Sequence, residues 1–394
     1  MKKAVRISAI MLLAALMLPL MFSAVYTPSA VAAVNGHGNV YVDGSRPDNS
    51  GNGLSWASAL KYIQSGINMV DPDGTVHVAA GTYRESLHLD KSCNLVGAGA
   101  PVTFIDGGGT WQVIRVDSYF QVNTISGFTI QNGNVDWSHP PQDGPQGGGM
   151  PVGGGVYIAM DHTVTMNDCN IRNNTSSFLG GGIYNAGHLY LNRCTVSGNS
   201  AGMVGGGIAN FSDESTIAQM RLINCTVSGN RVTGASMPLS EGGAAPTLFQ
   251  MPALSLAGGV FNGGDAEFWN VTIANNSVPS TPSSHGGGIA NVPLQCSNDS
   301  IQPLGGPVKN RALYKNTIVA NNVPDNGYND EESAIWSFGN NLDGQNNCGF
   351  DDYSSDQVNT NPLLGPLQDN GGPTPTMAIC SNSPAYNRGG SQTP

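Results

Sequence analysis

The chain has 394 residues, enough for one large or two ordinary domains. Glycine is abundant at 53 residues, charged residues make up only 11%, and the formal net charge is −11. An acidic balance disfavours nucleic acid and anionic lipid surfaces as partners, because both are negatively charged. Low charge with few aromatic residues also occurs in disordered chains, but the periodic pattern described below predicts a folded repeat protein.

Residues 1–33 have the pattern of a secretory signal peptide. Three cations form a basic start, residues 7–22 are mostly apolar, and Ala30–Ala33 supplies small residues for cleavage. The apolar run is short for a membrane span and is interrupted by Pro19. We therefore predict bacterial-type export, a secreted or cell-surface location and no membrane span in the mature chain. Removal of the three cations changes the net charge to −14.

Residues 34–74 are predicted to form an N-terminal cap made of one strand, 39–43, and one helix, 55–70. The helix is predicted from one apolar stripe at intervals of three and four residues: Trp56, Leu60, Ile63, Ile67 and Val70. Ser55 is expected to cap its start. A solenoid needs its open end covered, so we expect this helix to lie over the first coil.

The segment Asp43–Gly53 (DGSRPDNSGNG) is rich in the oxygen ligands that calcium prefers. It lacks the Glu that completes an EF-hand loop, because Ala59 stands at that position. Calcium is therefore the one cofactor that we keep as a candidate, and a turn built from Gly, Asn and Asp is the alternative interpretation. No other metal or cofactor site is predicted.

Short alternating strands begin at Thr75, and residues 75–323 are predicted to form the coils of a solenoid. Two phrases recur there: Gly-Gly-(Ile/Val)-x-Asn, and a short strand that ends in Asn, such as CTVSGN. No single copy can bury its apolar face, whereas stacked copies can. We therefore predict an all-β fold, a single-stranded right-handed parallel β-helix with an N-terminal capping helix.

The asparagines of the two phrases are predicted to stack at bends, where each amide can bond its own coil and the next. The first phrase supplies one ladder: Asn185, Asn210, Asn262 and Asn291. The second phrase supplies another: Asn174, Asn199, Asn230, Asn276 and Asn322. The glycines of the first phrase are expected to turn a corner through conformations that residues with a Cβ avoid.

The chain has seven cysteines, so at least one thiol has no partner within it. The repeat places Cys169, Cys194 and Cys225 one above another on an inward face. Two interpretations remain open. These residues are small apolar core residues, or two of them form a disulfide between stacked coils and leave the third thiol free.

Insertions interrupt the coils at 134–152, 231–257 and 292–311. The first two occupy the same slot in their repeats, so we expect them to build one rim of the solenoid. Four residues of the first insertion are predicted to form a ligand-contact rim: Asp136, Trp137, His139 and Asp143.

Three stretches resemble known surface proteins. GGGIYNAGHLYLNRCTVSGNSA (180–201) resembles the repeat of polymorphic outer membrane proteins, and the start at 40–68 is similar to the cap of large bacterial surface β-helix proteins. NPLLGPLQDNGGPTPTMAICSNSPAYNRG (361–389) is similar to the choice-of-anchor Q domain. These resemblances imply a pectate-lyase-like fold and a location at the cell surface or outside the cell.

Residues 324–394 are accordingly expected to form an irregular, choice-of-anchor Q-like region. Members of that family usually read Ser-Pro-Ala-Ile-Asp, whereas residues 383–387 read Ser-Pro-Ala-Tyr-Asn. They continue through a final coil, whereas this sequence stops at Pro394. A released protein and a truncated remnant of a larger adhesin are the two alternatives.

No catalytic residue is assigned from the sequence. The Asp351-Asp352 pair is interpreted as a solvated turn, and four arginines that form no single ladder are interpreted as solvated: Arg172, Arg193, Arg221 and Arg311. We predict a structural, adhesin-like or glycan-binding protein, whose partners are extracellular polysaccharides or cell-surface glycans. The alternative is a polysaccharide lyase or glycoside hydrolase acting on acidic polysaccharides, which rests on fold resemblance alone.

Overall fold

Short parallel strands that pair from one coil to the next make up most of the protein. The structure is a computed structural model that describes residues 36–118, 120–136, 150–213, 216–234, 255–297, 300–303, 310–331, 333–350 and 353–390. From His37 onwards these residues form one compact unit. The predicted signal peptide lies outside the described residues.

The coils contain four parallel sheets, named A to D; sheets A, B and C have eight to ten strands each, and sheet D has four. Sheet A contains Asn39–Val42, Thr75–Val78, Asn94–Gly97, Val122–Ser126, Thr163–Asn167, His188–Asn192, Gln219–Ile223, Asp265–Trp269, Arg311–Lys315 and Ala334–Ser337. Sheet B contains Gly81–Tyr83, Thr103–Asp106, Thr129–Gln131, Asn170–Arg172, Thr195–Ser197, Thr226–Ser228, Thr272–Ala274, Ile318–Ala320, Leu342–Asp343 and Gln357–Val358. Sheet C contains Leu87–Leu89, Ile114–Val116, Val156–Ile158, Ile183–Asn185, Ile208–Asn210, Val260–Asn262, Ile289–Asn291 and Gly327–Asn329. Sheet D contains Asn134–Val135, Thr175–Ser176, Ser200–Ala201 and Arg231–Val232.

One coil shows how the chain visits these sheets. Residues 163–187 pass through sheets A, B, D and C in that order, and His188 then begins the next strand of sheet A. Connections between parallel strands are right-handed with very few exceptions. The fold is therefore the right-handed parallel β-helix predicted from the sequence.

The alternation of apolar and polar residues decides which side chains enter the core. In sheet A, Val164 lies beside Leu189, which lies beside Met220, and all three are buried. On each strand, the residues just before and after these three point outward, because successive side chains of a strand lie on opposite faces. The inward rows of sheets A, B and C merge into one hydrophobic core that continues from coil to coil.

Glycine is required where the chain turns into sheet C. Gly205 has a φ of +67°, in the left-handed region that side chains with a Cβ rarely adopt. A Cβ on Gly206 would lie 2.3 Å from the carbonyl oxygen of Arg231 in the next coil. Stacking of the coils at this corner is therefore closer than any side chain allows.

The N-terminal helix is shorter than predicted. Residues Trp56–Ser58 form one 3₁₀ turn, the α-helix is limited to Ile63–Met69, and the continuous helix predicted over 55–70 was wrong. Ser55 makes no side-chain capping bond to the backbone. The reason is a competing pairing, since the intervening segment is extended and Leu60 bridges to Val42 at the edge of sheet A.

The short α-helix still lies over the first coil. Its Ile63 and Ile67 are fully buried, and Gly66 faces Val42 and Val76 so closely that a Cβ would lie 2.8 Å from each valine. Glu85 caps the helix by accepting hydrogen bonds from the backbone N–H groups of Ile63 and Gln64. The capping helix expected from the sequence is therefore present, with a cap supplied by a later coil.

The coils extend beyond residue 323, where the sequence predicts their end. Strands at Gly327–Asn329, Ala334–Ser337, Leu342–Asp343 and Gln357–Val358 continue sheets C, A and B. Phe350 is buried against Tyr314 inside the last coil. The predicted boundary was wrong because these strands lack the Gly and Asn phrases that mark the earlier coils.

The segment at 361–389 contains an antiparallel hairpin, Leu364–Gln368 with Thr376–Ile379. The tip of this hairpin reaches back to the middle of the solenoid. Thr374 Oγ1 donates to the carbonyl oxygen of Arg193 at 3.0 Å, and Thr195 Oγ1 donates to the carbonyl oxygen of Pro375 at 2.5 Å. We call this segment the C-terminal strap.

Insertions leave the coils at two corners. The predicted insertions at 134–152 and 231–257 each begin with a strand of sheet D, Asn134–Val135 and Arg231–Val232, and precede a strand of sheet C; residues 137–149 and 235–254 within them lie outside the described residues. The insertion at 292–311 starts after sheet C and contains a hairpin, Leu294–Ser297 with Ser300–Pro303, that pairs with Ser212–Asp213. A further short pair joins Ser255–Leu256 to Ser284–His285.

Candidate functional site

A buried stack of side-chain amides follows the corner between sheets B and D. The backbone N–H of Asn174 donates to the side-chain oxygen of Asn199 at 2.9 Å, and that of Asn199 donates to Asn230 at 3.0 Å. The same step continues through Asn276 and Asn322. Each side-chain N–H group also donates to a carbonyl of the preceding coil. These amides satisfy one another and the backbone, so their role is structural.

A second stack lies between sheets C and A. Its side-chain N–H groups donate from Asn185 to Asn210 at 2.7 Å, from Asn210 to Asn262 at 2.9 Å and from Asn262 to Asn291 at 3.1 Å. The sequence phrases missed the last member, Asn329, which accepts from Asn291. They also missed the end of the first stack, where Asn326 bonds Asn322 and Asp343.

The repeat cysteines are stacked inside the coils. The backbone N–H of Cys169 lies 3.4 Å from Cys194 Sγ, and that of Cys194 lies 3.4 Å from Cys225 Sγ. All three thiols are free and buried. Burial raises the pKa of the Cys169 and Cys194 thiols well above the ordinary value, which keeps them protonated and unreactive. This arrangement matches the interpretation as core residues and not the interpretation as an inter-coil disulfide.

Most of the predicted ligand-contact rim cannot be placed. Trp137, His139 and Asp143 lie outside the described residues. Asp136 is half-buried and directly follows the sheet D strand Asn134–Val135. The rim therefore stays a prediction.

The oxygen-rich loop at 43–53 uses its side chains to close its own turns. Asp43 accepts from the backbone N–H of Ser45, and Asp48 accepts from that of Ser50. Hydrogen bonds from the side chains of Ser45 and Ser50, together with these backbone bonds, lower the pKa of both carboxyl groups. The geometry is that of a turn built from Asp and Asn. Within the described residues, no cluster of three or more His, Cys, Asp or Glu side chains is arranged to hold a metal ion.

Charge is concentrated at one place on the outer face of sheet A. Among the described residues that point outward from this sheet, every Asp, Glu, Lys and Arg lies on three consecutive strands, Gln219–Ile223, Asp265–Trp269 and Arg311–Lys315. Together with one indole they define what we call the sheet A patch: Arg221, Asp265, Glu267, Trp269, Arg311 and Lys315. In a chain with only 11% charged residues, this grouping marks the patch as a candidate site.

Two ion pairs connect the strands of the patch. Arg311 Nη2 lies 2.8 Å from Asp265 Oδ2, and Arg221 Nε lies 3.1 Å from Glu267 Oε2. The second contact is an ion pair without hydrogen-bond geometry, because the buried Nε–H of Arg221 has no hydrogen-bond partner among the described residues. His188 Nδ1, two strands from Glu267, is likewise without a hydrogen-bond partner there. Both atoms are buried, so neither is available to a ligand at the surface.

Aromatic rings border these charges. Trp269 Nε1 donates to Glu267 Oε2 at 3.2 Å, and Lys315 Nζ lies 6.0 Å from the centre of the same indole. Phe338 stacks on Trp269 with ring centres 6.0 Å apart. Trp336, on the strand Ala334–Ser337 that pairs with Arg311–Lys315, is 43% exposed. Flat exposed rings beside hydrogen-bonding groups suit ligands that have both apolar faces and hydroxyl groups.

Burial raises the pKa of two groups here. Burial raises the pKa of the Asp265 carboxyl, although the neighbouring Arg311 cation opposes this shift. Burial also raises the pKa of the Tyr190 hydroxyl, which points outward one strand before Arg221. Glu267 and Asp265 project from the same strand face, with Cα atoms about 6.6 Å apart. Each carboxylate faces its own arginine, which favours a fixed polar surface over a free acid and base pair.

The sequence interpretation of Arg221 and Arg311 as solvated side chains was wrong. Their side chains are only 33% and 26% exposed, and each pairs with a carboxylate one coil away. A signal was available, because counting back from the second Asn phrase aligns HLYLN, QMRLI, DAEFW and RALYK. That alignment puts Tyr190, Arg221 and Glu267 in one outward row.

Comparisons with known proteins give structural likenesses only. No family model and no curated protein sequence matches the chain. Pectin methylesterase PemA from Erwinia chrysanthemi is 13% identical with a TM-score of 0.42, covering 81% of this chain and 92% of its own. Pectate lyase Pel9A is 13% identical with a TM-score of 0.44, covering 85% and 73%. The pectin methylesterase from Aspergillus niger is 15% identical with a TM-score of 0.33, covering 78% and 85%.

In the part of the chain that the structure describes, no helix combines the length and apolar character needed to cross a membrane.

Proposed function

We propose that this chain is an exported glycan-binding β-helix protein that contacts an extracellular polysaccharide or a cell-surface glycan through the sheet A patch. The observation that carries the proposal is that, among the described outward residues of sheet A, every Asp, Glu, Lys and Arg lies on three consecutive strands, one of which also carries Trp269. The coil packing does not require these residue types, since the same outward positions hold Thr and Asn in earlier coils.

The contacts within the patch support binding in particular. Paired charges hold the guanidinium groups and carboxylates in fixed positions, so a ligand meets a preorganised surface. The exposed Trp336 and the half-buried Trp269 provide flat faces against which sugar rings can pack. The signal peptide pattern and the resemblance to surface proteins support an extracellular setting for this binding.

Binding of fluorescent glycans to the purified protein tests the proposal, with Trp269→Ala as the main variant. We expect Trp269→Ala to weaken glycan binding about tenfold, which corresponds to the loss of one aromatic contact. Trp111→Ala is the matched control, because Trp111 is exposed but lies outside sheet A. Equal binding by both variants and the unmodified protein would exclude the patch as the contact surface.

A second candidate function is cleavage of acidic polysaccharides. The observation in its favour is the raised pKa of Asp265 beside Glu267 and two arginines, since glycosidases use one protonated and one ionised carboxyl group. Incubation with pectate and alginate, with and without calcium, tests it by the release of unsaturated or reducing ends. Product formed by the unmodified protein and lost in Asp265→Asn would support catalysis, whereas no product would leave binding alone.

The ligand-contact rim predicted from the sequence, Asp136, Trp137, His139 and Asp143, provides a separate contact hypothesis. Its insertion starts from sheet D, on a different corner from the sheet A patch. Replacing residues 137–149 by a five-residue loop should keep the coils intact, because neighbouring coils pass the same corner without an insertion. Weaker glycan binding by this variant would support the rim, and unchanged binding would remove it.

A further inference from the structure

An aromatic cluster lies near the N-terminal end of sheet A, far from the sheet A patch. The Tyr41 ring is 4.9 Å from the Trp56 ring and 5.1 Å from the His77 ring, and the Tyr41 and His77 planes are nearly parallel at 19°. Trp56 is 49% exposed although it is a large apolar side chain. We call Tyr41, Trp56 and His77 the cap cluster.

The cap cluster and the sheet A patch belong to one outward row. The residue pairing runs from Tyr41 to His77 and onward, strand by strand, to Trp269. His77 and Trp269 are separated by six inter-strand steps. At about 4.8 Å a step, the two clusters lie about 29 Å apart along the sheet.

The strands between the clusters form an uncharged polar track. The outward row passes through Ser126, Asn167 and Asn192, which hydrogen-bond one another across the strands. The neighbouring outward row holds Thr124 and Thr165. No outward residue on the four strands from Asn94 to Asn192 is Asp, Glu, Lys or Arg. Most outward residues on these strands are Thr, Ser or Asn, with exposed Val96 and Val122 among them and His188 and Tyr190 nearest the patch. The face therefore presents hydroxyl, amide and apolar groups and no Asp, Glu, Lys or Arg to desolvate.

We infer that the occupant of this face is a linear, uncharged polysaccharide that runs along the solenoid axis and contacts the sheet A patch and the cap cluster together. This inference rests on the proposed function, because it takes the patch as the first contact. Charge complementarity favours an uncharged chain over a polyanion, since the track carries no cation and the whole protein is net negative at −11. Two contacts on one rigid sheet raise affinity only for ligands long enough to reach both.

The experiment compares polymers with short oligosaccharides of the same composition. The probes are a soluble β-glucan, a xylan and a mannan, each as polymer and as trisaccharide, since a trisaccharide cannot span about 29 Å. Polygalacturonate serves as the acidic comparison. The variants are Trp56→Ala, His77→Ala and Trp269→Ala, with Tyr386→Ala as an exposed aromatic control outside sheet A. Thermal melting checks that each variant is folded.

We expect Trp56→Ala and His77→Ala to weaken polymer binding about tenfold or more while leaving trisaccharide binding unchanged. Trp269→Ala should weaken both. Polymer binding by both cap variants within twofold of the unmodified protein would overturn the two-contact inference and leave the proposed function standing. Tighter binding of polygalacturonate than of every neutral polymer would overturn the uncharged class. Absence of any glycan binding by the unmodified protein would instead defeat the proposed function.

Discussion

The inward and outward rows of sheet A belong to the same strands, but the residue type changes from coil to coil much more in the outward rows than in the inward rows. Along one inward row, Val164, Leu189, Met220 and Ala266 are all apolar and all buried. The adjacent outward row changes from Thr to Tyr to Arg to Glu over the same coils. Packing against the coils above and below fixes the inward class, whereas the outward positions are free to carry binding chemistry. Repeated residue types therefore mark the scaffold of the sheet, and the strands where the repetition stops mark the candidate site.

Two neighbours on one strand give the strongest test of this contrast. Phe268 points inward and stacks on Tyr314 at 4.9 Å, while Trp269 points outward. We expect Phe268→Ala to lower the free energy of unfolding by about 4 kcal/mol, because it leaves a cavity in the core. Trp269→Ala should cost about 1 kcal/mol. Urea denaturation measures both, and equal losses would contradict the assignment of the two faces.

The glycine corner before sheet C is expected to tolerate no side chain. Gly206→Ala would bring a Cβ within 2.3 Å of a backbone oxygen of the next coil, which cannot move without separating the coils. We expect a loss of about 3 kcal/mol. Gly229→Ala is the control, since its Cβ would meet nothing closer than 3.9 Å and only its φ of +68° is strained. A smaller loss at Gly206 than at Gly229 would show that backbone strain, and not coil contact, selects glycine.

Substitution of an inward asparagine should cost more stability than substitution of an outward one, but the difference should be smaller than in the two tests above. Asn230→Ala leaves buried partners in the preceding and following coils without their hydrogen bonds, so we expect a loss of about 2 kcal/mol. Asn192→Ala removes one half-buried bond to Asn167 and should cost less than about 1 kcal/mol. Thermal melting of the two variants side by side measures the difference. Similar melting points would mean that the buried ladder contributes no more than the outward one.

The smallest expected effect concerns pH and the outward row of sheet C. His88 Nε2 lies 2.7 Å from Asp117, and this hydrogen bond raises the pKa of the imidazole above its ordinary value of 6.5. The pair therefore adds stability that is fully present below about pH 6.5 and is lost as pH rises through the raised pKa. The melting-point difference between the unmodified protein and His88→Gln should be larger at pH 5.5 than at pH 9. The reverse trend would contradict the ion pair.

The fold could be predicted from the sequence because the same residue types recur at the same positions of successive coils. The glycine and asparagine phrases predicted the coils and named the residues whose amides stack in the structure. The helix over 55–70 was wrong because periodicity cannot show that Leu60 pairs with the sheet edge instead. The sheet A patch was missed because the residue types at its outward positions, such as Arg221, Glu267 and Trp269, do not recur from coil to coil. Their pairing depends on inter-coil register, which becomes visible only when the strands are aligned.

The C-terminal strap has a consequence for how the solenoid comes apart. A stack in which each coil touches only its neighbours can unravel from either end, one turn at a time. Here Thr374 and Pro375 form hydrogen bonds with Arg193 and Thr195, which lie about 180 residues earlier in the chain. The C-terminal coils can unfold only after these two hydrogen bonds break. We therefore expect the coils between Arg193 and the C-terminal strap to resist fraying and to unfold together. Hydrogen exchange in a variant ending at residue 360 would reveal this, as protection of residues 311–343 would fall while that of residues 75–130 stayed the same.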